Sequence, residues 1–463
     1  QRSENLDISY CKFEGGTITS DAGGLFLREI DLNNSYIADY AACFEDNRNQ
    51  EKIEFDLETL LRQRIFGICL GYEDLNDHDE LRKDPLFATM CGKTDPTGKD
   101  REHDRDRGIP LAGKSTLNRI EYSTIDKGTP TRYKKILYNE EAIDNYFIDK
   151  FIEQYGNAVP ARLTLDIDAT DDPLHGHQQG RFFHGYYDCY CYLPLYIFCG
   201  DDLLFAKLKT SNIDPGNDAL PQIKKVVMRL KEKWPGVQIT IRGDSGFCRE
   251  GIMSWIEKQE GVFYLFGLSR NTRLYERIRK ELAKVKEVYE KTYKTNRIYK
   301  DFTYKTLKSW SKRRRVIGKA EYGSKGENPR FLVTNLKKKH FEAQELYEEQ
   351  YCARGNMENR IKEQQLFLFA DRTSCAMLAA NQLRLYFAAV AYVIINELRK
   401  RGLRETELSN AQCSTIRLKL FKIGAVVTIS VRRVLINYSS SYPYQELFYR
   451  VKENLRKAYP LLN

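Results

Sequence analysis

Apolar residues along this chain of 463 residues change their period as the chain proceeds. Up to about residue 155 they recur at helical spacing. Between Asp56 and Leu70, the residues Leu57, Leu60, Leu61, Ile65 and Ile68 fall near one helical face, with Asp56 placed to cap the first turn. From Arg162 the period shortens to two: Leu163, Leu165 and Ile167 share one face of a strand, and Thr164, Asp166 and Asp168 the other. Two further strand-like runs, 186–198 and 203–209, are linked by Gly200-Asp201-Asp202 and read as a hairpin. A helix over 218–234 ends at Pro235-Gly236, and a fourth strand over 237–242 delivers Asp244 at its C-terminal edge. A helix over 249–259 and a fifth strand over 262–268 complete the run.

Strand, strand, strand, helix, strand, helix, strand is the order of an RNase H-like fold. The fold class expected is therefore an α/β core with a mixed five-stranded sheet, carrying a β-rich insertion and flanked by mainly helical N- and C-terminal regions. The insertion, 270–340, has strand-like pieces at 297–307, 313–322 and 330–334, and a helix returns over 342–366. The expected division is a mainly helical region 1–155 that binds DNA, the first part of the core 156–269, the basic β-rich insertion 270–340, the rest of the core 341–375, and a mainly helical region 376–463. Within the first region, 111–122 reads as a short helix after a turn, a weak pointer to helix-turn-helix use. The most apolar stretch, 376–398, is interrupted by Asn381, Gln382 and Arg384, which are costly in lipid, so it reads as a buried helix and no membrane is expected.

Composition narrows the class. Hydrophobic residues make up 42% of the chain, enough for two to four packed units and too many for global disorder. Eleven cysteines, an odd number spread along the chain, do not form a disulfide scaffold and fit a reducing cytoplasm. Early in the chain no basic patch leads into an apolar run, so secretion is not expected. The formal charge of +10 is unevenly placed: residues 270–319 hold 18 Lys and Arg against 5 Asp and Glu, while residues 1–100 hold 11 against 21. Such a central positive field suits a polyanion, whose counterions it releases, although a solvated charged face has the same composition. Lys312, Arg313, Arg314 and Arg315 form its densest run and are the expected phosphate contacts. Trp310 and the tyrosines nearby could stack on bases or simply pack in the core.

Phosphodiester cleavage near neutral pH needs an activated water and a stabilised leaving oxygen, which two divalent ions about 4 Å apart supply together. Hard cations take carboxylate oxygens, so the relevant residues are Asp and Glu that the fold brings together. Asp168 ends the first strand and Asp244 follows the fourth, and these strands are neighbours in an RNase H-like sheet. Asp166 shares the face of Asp168 and competes with it for the first position, whereas Asp171 and Asp172 read as turn residues. A third carboxylate should come from a helix after the fifth strand. There Tyr351, Arg354 and Glu358 are spaced by three and four residues, on one helical face. His175, His177 and His184 cluster after the first strand and read as loop hydrogen-bonders or DNA contacts, since imidazole suits Mg²⁺ poorly.

The Tyr-x2-Arg-x3-Glu spacing resembles the signature of the Tyr-Arg-Glu-Lys group of DDE transposases. The blocks LDIDATDDP, GYYDCYCYLPLYIFCGD, RGDSGF and EYGSKGENPRFLVTNL resemble the insertion sequence 1380 family, from about Ser20 to the C-terminal helices. The resemblance implies Asp168, Asp244 and Glu358 as catalytic metal ligands for two Mg²⁺ ions, with Mn²⁺ as a substitute and no nucleotide cofactor. It also implies Tyr351 and Arg354 as residues that hold DNA phosphate or a flipped strand end. The group's Lys falls seven positions after the Glu, where this chain has Gln365; Lys362, one turn after Glu358, is the available replacement. The implied partners are double-stranded DNA, as terminal inverted repeats and as target, and a second copy of the chain on paired ends; the implied location is the bacterial cytoplasm, at the nucleoid. Two rivals stand beside this reading: an RNase H-like nuclease without strand transfer, and a transposase-derived DNA-binding protein without catalysis.

Overall fold

The structure is a computed structural model that describes residues 13–123, 135–214, 216, 218–430 and 433–460. It divides into two compact units. One comprises the chain up to Asn139 with Phe367–Phe369 and Val390 onward, and the other Glu140–Leu366 with Ala370–Ala389.

The first unit is mainly helical. Its helix Leu57–Leu70 begins as the sequence predicts, with the Asp56 side chain accepting from the Thr59 N–H at 2.6 Å, and ends at Gly71, whose φ of 97° is left-handed. Arg64 of this helix is buried and held by Glu121 at 2.8 Å. The two ends of the chain share a small sheet: Ile18–Thr19 pairs with Ala425–Ser430, which pairs with Arg433–Tyr438.

The second unit carries the α/β core. In chain order it contains α1 (Glu140–Glu153), β1 (Arg162–Ala169), β2 (Asp172–Pro173), β3 (Phe182–His184), β4 (Cys189–Tyr192), β5 (Leu195–Cys199), β6 (Asp202–Lys207), α2 (Leu220–Lys233) and β7 (Gln238–Gly243). There follow α3 (Glu250–Ile256), β8 (Val262–Leu268), α4 (Thr272–Thr292), β9 (Asn296–Tyr304), β10 (Arg314–Gly323), β11 (Gly326–Glu327), β12 (Arg330–Thr334) and α5 (Gly355–Leu368).

The main sheet runs β9-β10-β12-β8-β7-β1-β5-β6, with β11 paired to β10, so it has nine strands where five were expected. The excess comes from 270–340: β12 pairs antiparallel with β8, Leu265 opposite Thr334, and the insertion's strands lengthen the core sheet. A strand edge satisfies its backbone groups by accepting another strand, and nothing in a period-two pattern says which edge will be used. The most basic part of the segment opens as the 21-residue helix α4, capped by Asn271 at the Leu274 N–H (3.0 Å), which buries Leu274, Ile278, Leu282 and Val285.

Period-two alternation places Leu163, Leu165, Ile167, Ile239, Ile241, Tyr264 and Phe266 in one large cluster with apolar residues of α1 to α4. Each such side chain, fully buried, stabilises the fold by about 1.5–3 kcal/mol. A smaller cluster contains Leu265, Ile317 and Leu332, packed with Leu346 and Tyr347. The expected strand over 186–198 is split at Leu193-Pro194, where proline lacks an N–H for the ladder. Its first half, β4, joins β2 and β3 in a separate three-stranded sheet, and β5 enters the main sheet.

The helix Leu378–Arg401 is long and apolar enough to span a membrane by length and composition, and 83% of its most apolar window is buried inside the protein. The chain forms this buried helix where one was expected.

Candidate active site

Strands β1 and β7 run parallel and adjacent, with Arg242 opposite Asp166 and Gly243 opposite Ile167. One position further along lie Asp244 and Asp168. Neighbouring strands are about 4.8 Å apart, so the sheet itself brings these two carboxylates to the same level. The third carboxylate is supplied by the segment preceding and entering α5. That segment is not one regular helix: Leu346–Tyr351 is wound with the wide i→i+5 spacing, Cys352–Arg354 with the tight i→i+3 spacing, and the α-helix starts at Gly355. Tyr351 and Arg354 thus each close an irregular turn, and Glu358 lies in the first α-turn.

Asp168, Asp244, Arg354, Glu358 and Lys362 line one cleft of about 650 Å³. Tyr351 lines an adjoining recess with Asp244. Arg354 Nη1 donates to Asp168 Oδ2 at 3.2 Å, and its Nη2 lies 3.9 Å from Glu358 Oε1. Asp244 Oδ1 accepts from the Gly246 N–H at 2.8 Å, and Asp168 Oδ1 from the Ala169 N–H at 3.1 Å. Burial pushes the Asp168 carboxyl up to about 6; Arg354 opposes this, and the negative charges of Asp244 and Glu358 add to it. The Glu358 side chain is 55% exposed, so it reaches into the cleft from its wet edge.

The carboxylates offer only oxygen, the donor type a hard divalent cation takes, and repel one another in a half-dry cleft. The positive partner of Asp168 in this arrangement is Arg354. Among the described residues no three Asp, Glu, His or Cys side chains converge closely enough to hold a metal ion.

Asp166 is committed elsewhere. It is 4% exposed, and both its oxygens accept from Arg242, at 2.6 and 2.7 Å. Arg242 also donates to the Gln350 carbonyl, which ties the irregular turn to the sheet. We expect folded Asp166→Asn to keep cleavage activity, since both Asp166 oxygens are taken up by Arg242. Thermal melts and cleavage assays on Asp166→Asn and Asp168→Asn would exchange the two roles if only Asp166→Asn were both stable and inactive.

The expected phosphate run separates in the structure. Arg314 is 4% exposed and holds Glu250 at 2.7 Å and Glu257 at 2.8 Å. Arg315 holds Asp301 at 2.8 Å and the carbonyls of Leu336 and Phe341, and Lys312 reaches Glu257 at 3.0 Å. Only Arg313 of the four is exposed without an ion pair. Of the four expected contacts, Arg314 is turned inward by the alternation of β10, while Lys312 and Arg313 stay exposed. Trp310 is buried too, edge-on to Tyr304.

His184 lines the cleft, whereas His175 and His177 do not. Gln365, at the place of the group's Lys, donates to the Asp171 carbonyl (3.0 Å) and to Asp172 Oδ1 (2.8 Å), fastening α5 to the chain just beyond β1. Asp172 is fully buried and so more than a turn residue.

Sequence reading missed Gly267. A Cβ there would come within 2.8 Å of the Tyr351 hydroxyl and 3.0 Å of the Ser245 nitrogen, so the bare Cα is what lets Tyr351 approach Asp244. The signal was a glycine inside an otherwise apolar strand, which often marks close backbone approach.

Against known proteins, residues 5–460 match the family model described as transposase DDE domain, group 1. A comparison with curated proteins gives no match. Among solved structures, the piggyBac transposase synaptic complex with hairpin DNA, determined by cryo-EM, is similar at 13% identity with a TM-score of 0.37, over 87% of this chain and 80% of that one. With nearly its whole length matched by the family model, the chain belongs to the DDE transposase domain family, group 1.

Proposed function

We propose that this protein is a transposase of the Tyr-Arg-Glu-Lys type, resembling the insertion sequence 1380 family, that cuts the ends of its element and joins them to target DNA. The observation that carries the reading is the gathering of Asp168, Asp244, Glu358 and Arg354 in one cleft of a chain that belongs to the DDE family. Asp168, Asp244 and Glu358 would hold two Mg²⁺ ions, with Mn²⁺ as a substitute. When bound, such ions activate the attacking hydroxyl and stabilise the leaving oxygen. Asp168 and Asp244 are fixed by the sheet, while Glu358 approaches from a segment with irregular turns and can adjust. Arg354 neutralises Asp168 until a cation does so, after which its fork of donors is free for a phosphate. Tyr351, beside Asp244, offers a hydroxyl and a ring face to a distorted strand, and Lys362 a further cation at the cleft. Region 1–155 would bind DNA, and two copies would pair two ends.

The test is a strand-transfer assay in which purified protein, Mg²⁺ and pre-cut end DNA are mixed with plasmid. Joined products support the reading. Cleavage without joining would favour a nuclease, and binding alone a protein that has lost catalysis.

Arg354→Ala should still nick end DNA yet accumulate nicked product with little double-strand cleavage, if this side chain steadies a bent intermediate. Gel analysis of labelled ends over time measures this. Equal loss of nicking and of later steps would mean instead that Arg354 chiefly sets Asp168 and Glu358, which it touches.

A further inference from the structure

The structure sorts the basic surplus of 270–319 into two populations. Nine of its 18 cations hold a carboxylate, among them Arg297, Lys300, Lys312, Arg314, Arg315 and Lys319. Of the nine that form no ion pair among the described residues, Arg273, Arg277, Lys305 and Arg313 line a single open groove of about 590 Å³ between the first turns of α4 and the tip of the β9–β10 hairpin. The groove has one acidic residue, Glu276, whose carboxylate faces Arg279 at 3.4 Å.

The two arginines of α4 are one turn apart and are held in place. The Arg273 guanidinium lies over the Tyr304 ring at 5.3 Å and that of Arg277 over the Phe302 ring at 5.2 Å, with Arg277 also donating to the Thr303 carbonyl at 3.4 Å. Stacking on an aromatic face fixes a guanidinium while leaving edge donors for a planar anion. Lys305 donates to the Ser311 carbonyl at 3.0 Å across the hairpin tip, and Arg313 extends from the same tip. Four cations that neutralise nothing inside the protein, two of them pre-oriented, make a site for an anion of repeating charge.

The groove is also placed along the chain from the cleft. Asp244 and Ser245 line a recess shared with Arg270 and Arg330, both exposed, and the groove begins at Thr272, within about 7 Å of chain from Arg270.

We propose that this groove binds the phosphodiester backbone of the duplex DNA flanking the cleavage position, with Arg273, Arg277, Lys305 and Arg313 as the contacting residues. The proposal rests on the transposase reading for the identity of the polyanion. The unpaired cations of this groove, of which Arg313 alone belongs to the densest run in the sequence, contribute to the salt dependence of binding.

The test is fluorescence anisotropy of a labelled end duplex titrated with full-length protein over a range of KCl concentrations. Each lost phosphate contact lowers the log-log salt slope by about 0.9, so replacing all four residues by Gln should lower it by as much as about 3.6. Glutamine keeps part of the stem over the rings, and because no carboxylate loses a partner the melting temperature should hold. Arg273→Lys and Arg277→Lys, which keep charge but lose the planar fork, should keep most of the slope. A fourfold variant that melts like wild type and keeps the wild-type slope overturns the inference while leaving the transposase reading intact. Wild-type protein that binds no duplex overturns both.

Discussion

Asp168→Asn is expected to reduce end cleavage by on the order of 10³-fold or more and, in metal-free protein at pH 8, to raise the melting temperature. The first effect is the loss of one anionic oxygen donor from a set of three, and a factor of 10³ corresponds to about 4 kcal/mol of transition-state stabilisation. The second follows from electrostatics. Burial, together with Asp244 and Glu358, lifts the Asp168 carboxyl from its ordinary 3.8 to about 6 even with Arg354 beside it. A carboxyl whose folded value lies above its unfolded one binds its proton more tightly in the folded state. Wild-type stability therefore falls as pH rises from about 4 to about 6, and the penalty is complete above that. The shift corresponds to on the order of 3 kcal/mol, which asparagine would not incur. The stabilisation should shrink as pH falls towards 4 and should be smaller in Mg²⁺, which favours the ionised wild-type site. Asp244→Ala and Glu358→Ala should match the loss of cleavage while leaving end binding near wild type. Melting curves at pH 4, 6 and 8 with and without Mg²⁺, alongside cleavage rates, make the check. Residual cleavage within tenfold of wild type would remove Asp168 from the proposed ligand set, whereas destabilisation at pH 8 in metal-free protein would mean that its pair with Arg354 outweighs the cost of its burial.

Parts of this site were legible in the sequence. The alternation Leu163, Leu165, Ile167 fixes which face of β1 bears Asp166 and Asp168, and the helix-strand order after it fixes β7 as the strand that carries Asp244. Both follow from periodicity, because one buried face demands it. The choice between Asp166 and Asp168 does not, since both point the same way; it depends on Arg242, which sits opposite Asp166 only once β1 and β7 are in register. Likewise, Tyr351, Arg354 and Glu358 have regular helical spacing in the sequence, but the backbone there changes winding twice where Leu346 and Tyr347 pack with Leu265, Ile317 and Leu332. The nine-stranded sheet was hidden for a similar reason. Residues 297–334 alternate as strands should, yet whether they form their own sheet or extend another depends on which edge is open. The basic run misled most: charge density along the chain says nothing about which cations already face a carboxylate.

Arg314→Ala is accordingly expected to be a folding mutation. Its side chain is 1% exposed, with Glu250 at 2.7 Å, Glu257 at 2.8 Å and the Trp310 ring at 5.4 Å. Removing the cation leaves two carboxylates facing each other without it, and breaking a buried pair from one side typically costs about 3–5 kcal/mol. The pH dependence distinguishes this from simple loss of packing. Burial pushes the Glu250 carboxyl up, but Arg314, Ser254 and Ser311 outweigh it and hold the group at about 2; the Glu257 carboxyl is lowered in the same balance. Folded values below the ordinary 4.5 mean that the stability these groups contribute is present above about 4.5 and is lost as pH falls towards 2. The gap between wild type and Arg314→Ala should therefore be widest near pH 7 and narrow as the solution is acidified through 4.5, where the variant's carboxylates protonate first. Arg314→Met combined with Glu250→Gln and Glu257→Gln should recover much of the loss, since an apolar side chain among neutral partners strands no charge. Urea denaturation at pH 7 and pH 4 measures both effects. Folded Arg314→Ala should keep the wild-type salt slope for duplex binding. A variant of wild-type stability whose slope has dropped by about 0.9 would return Arg314 to the DNA surface and overturn this assignment.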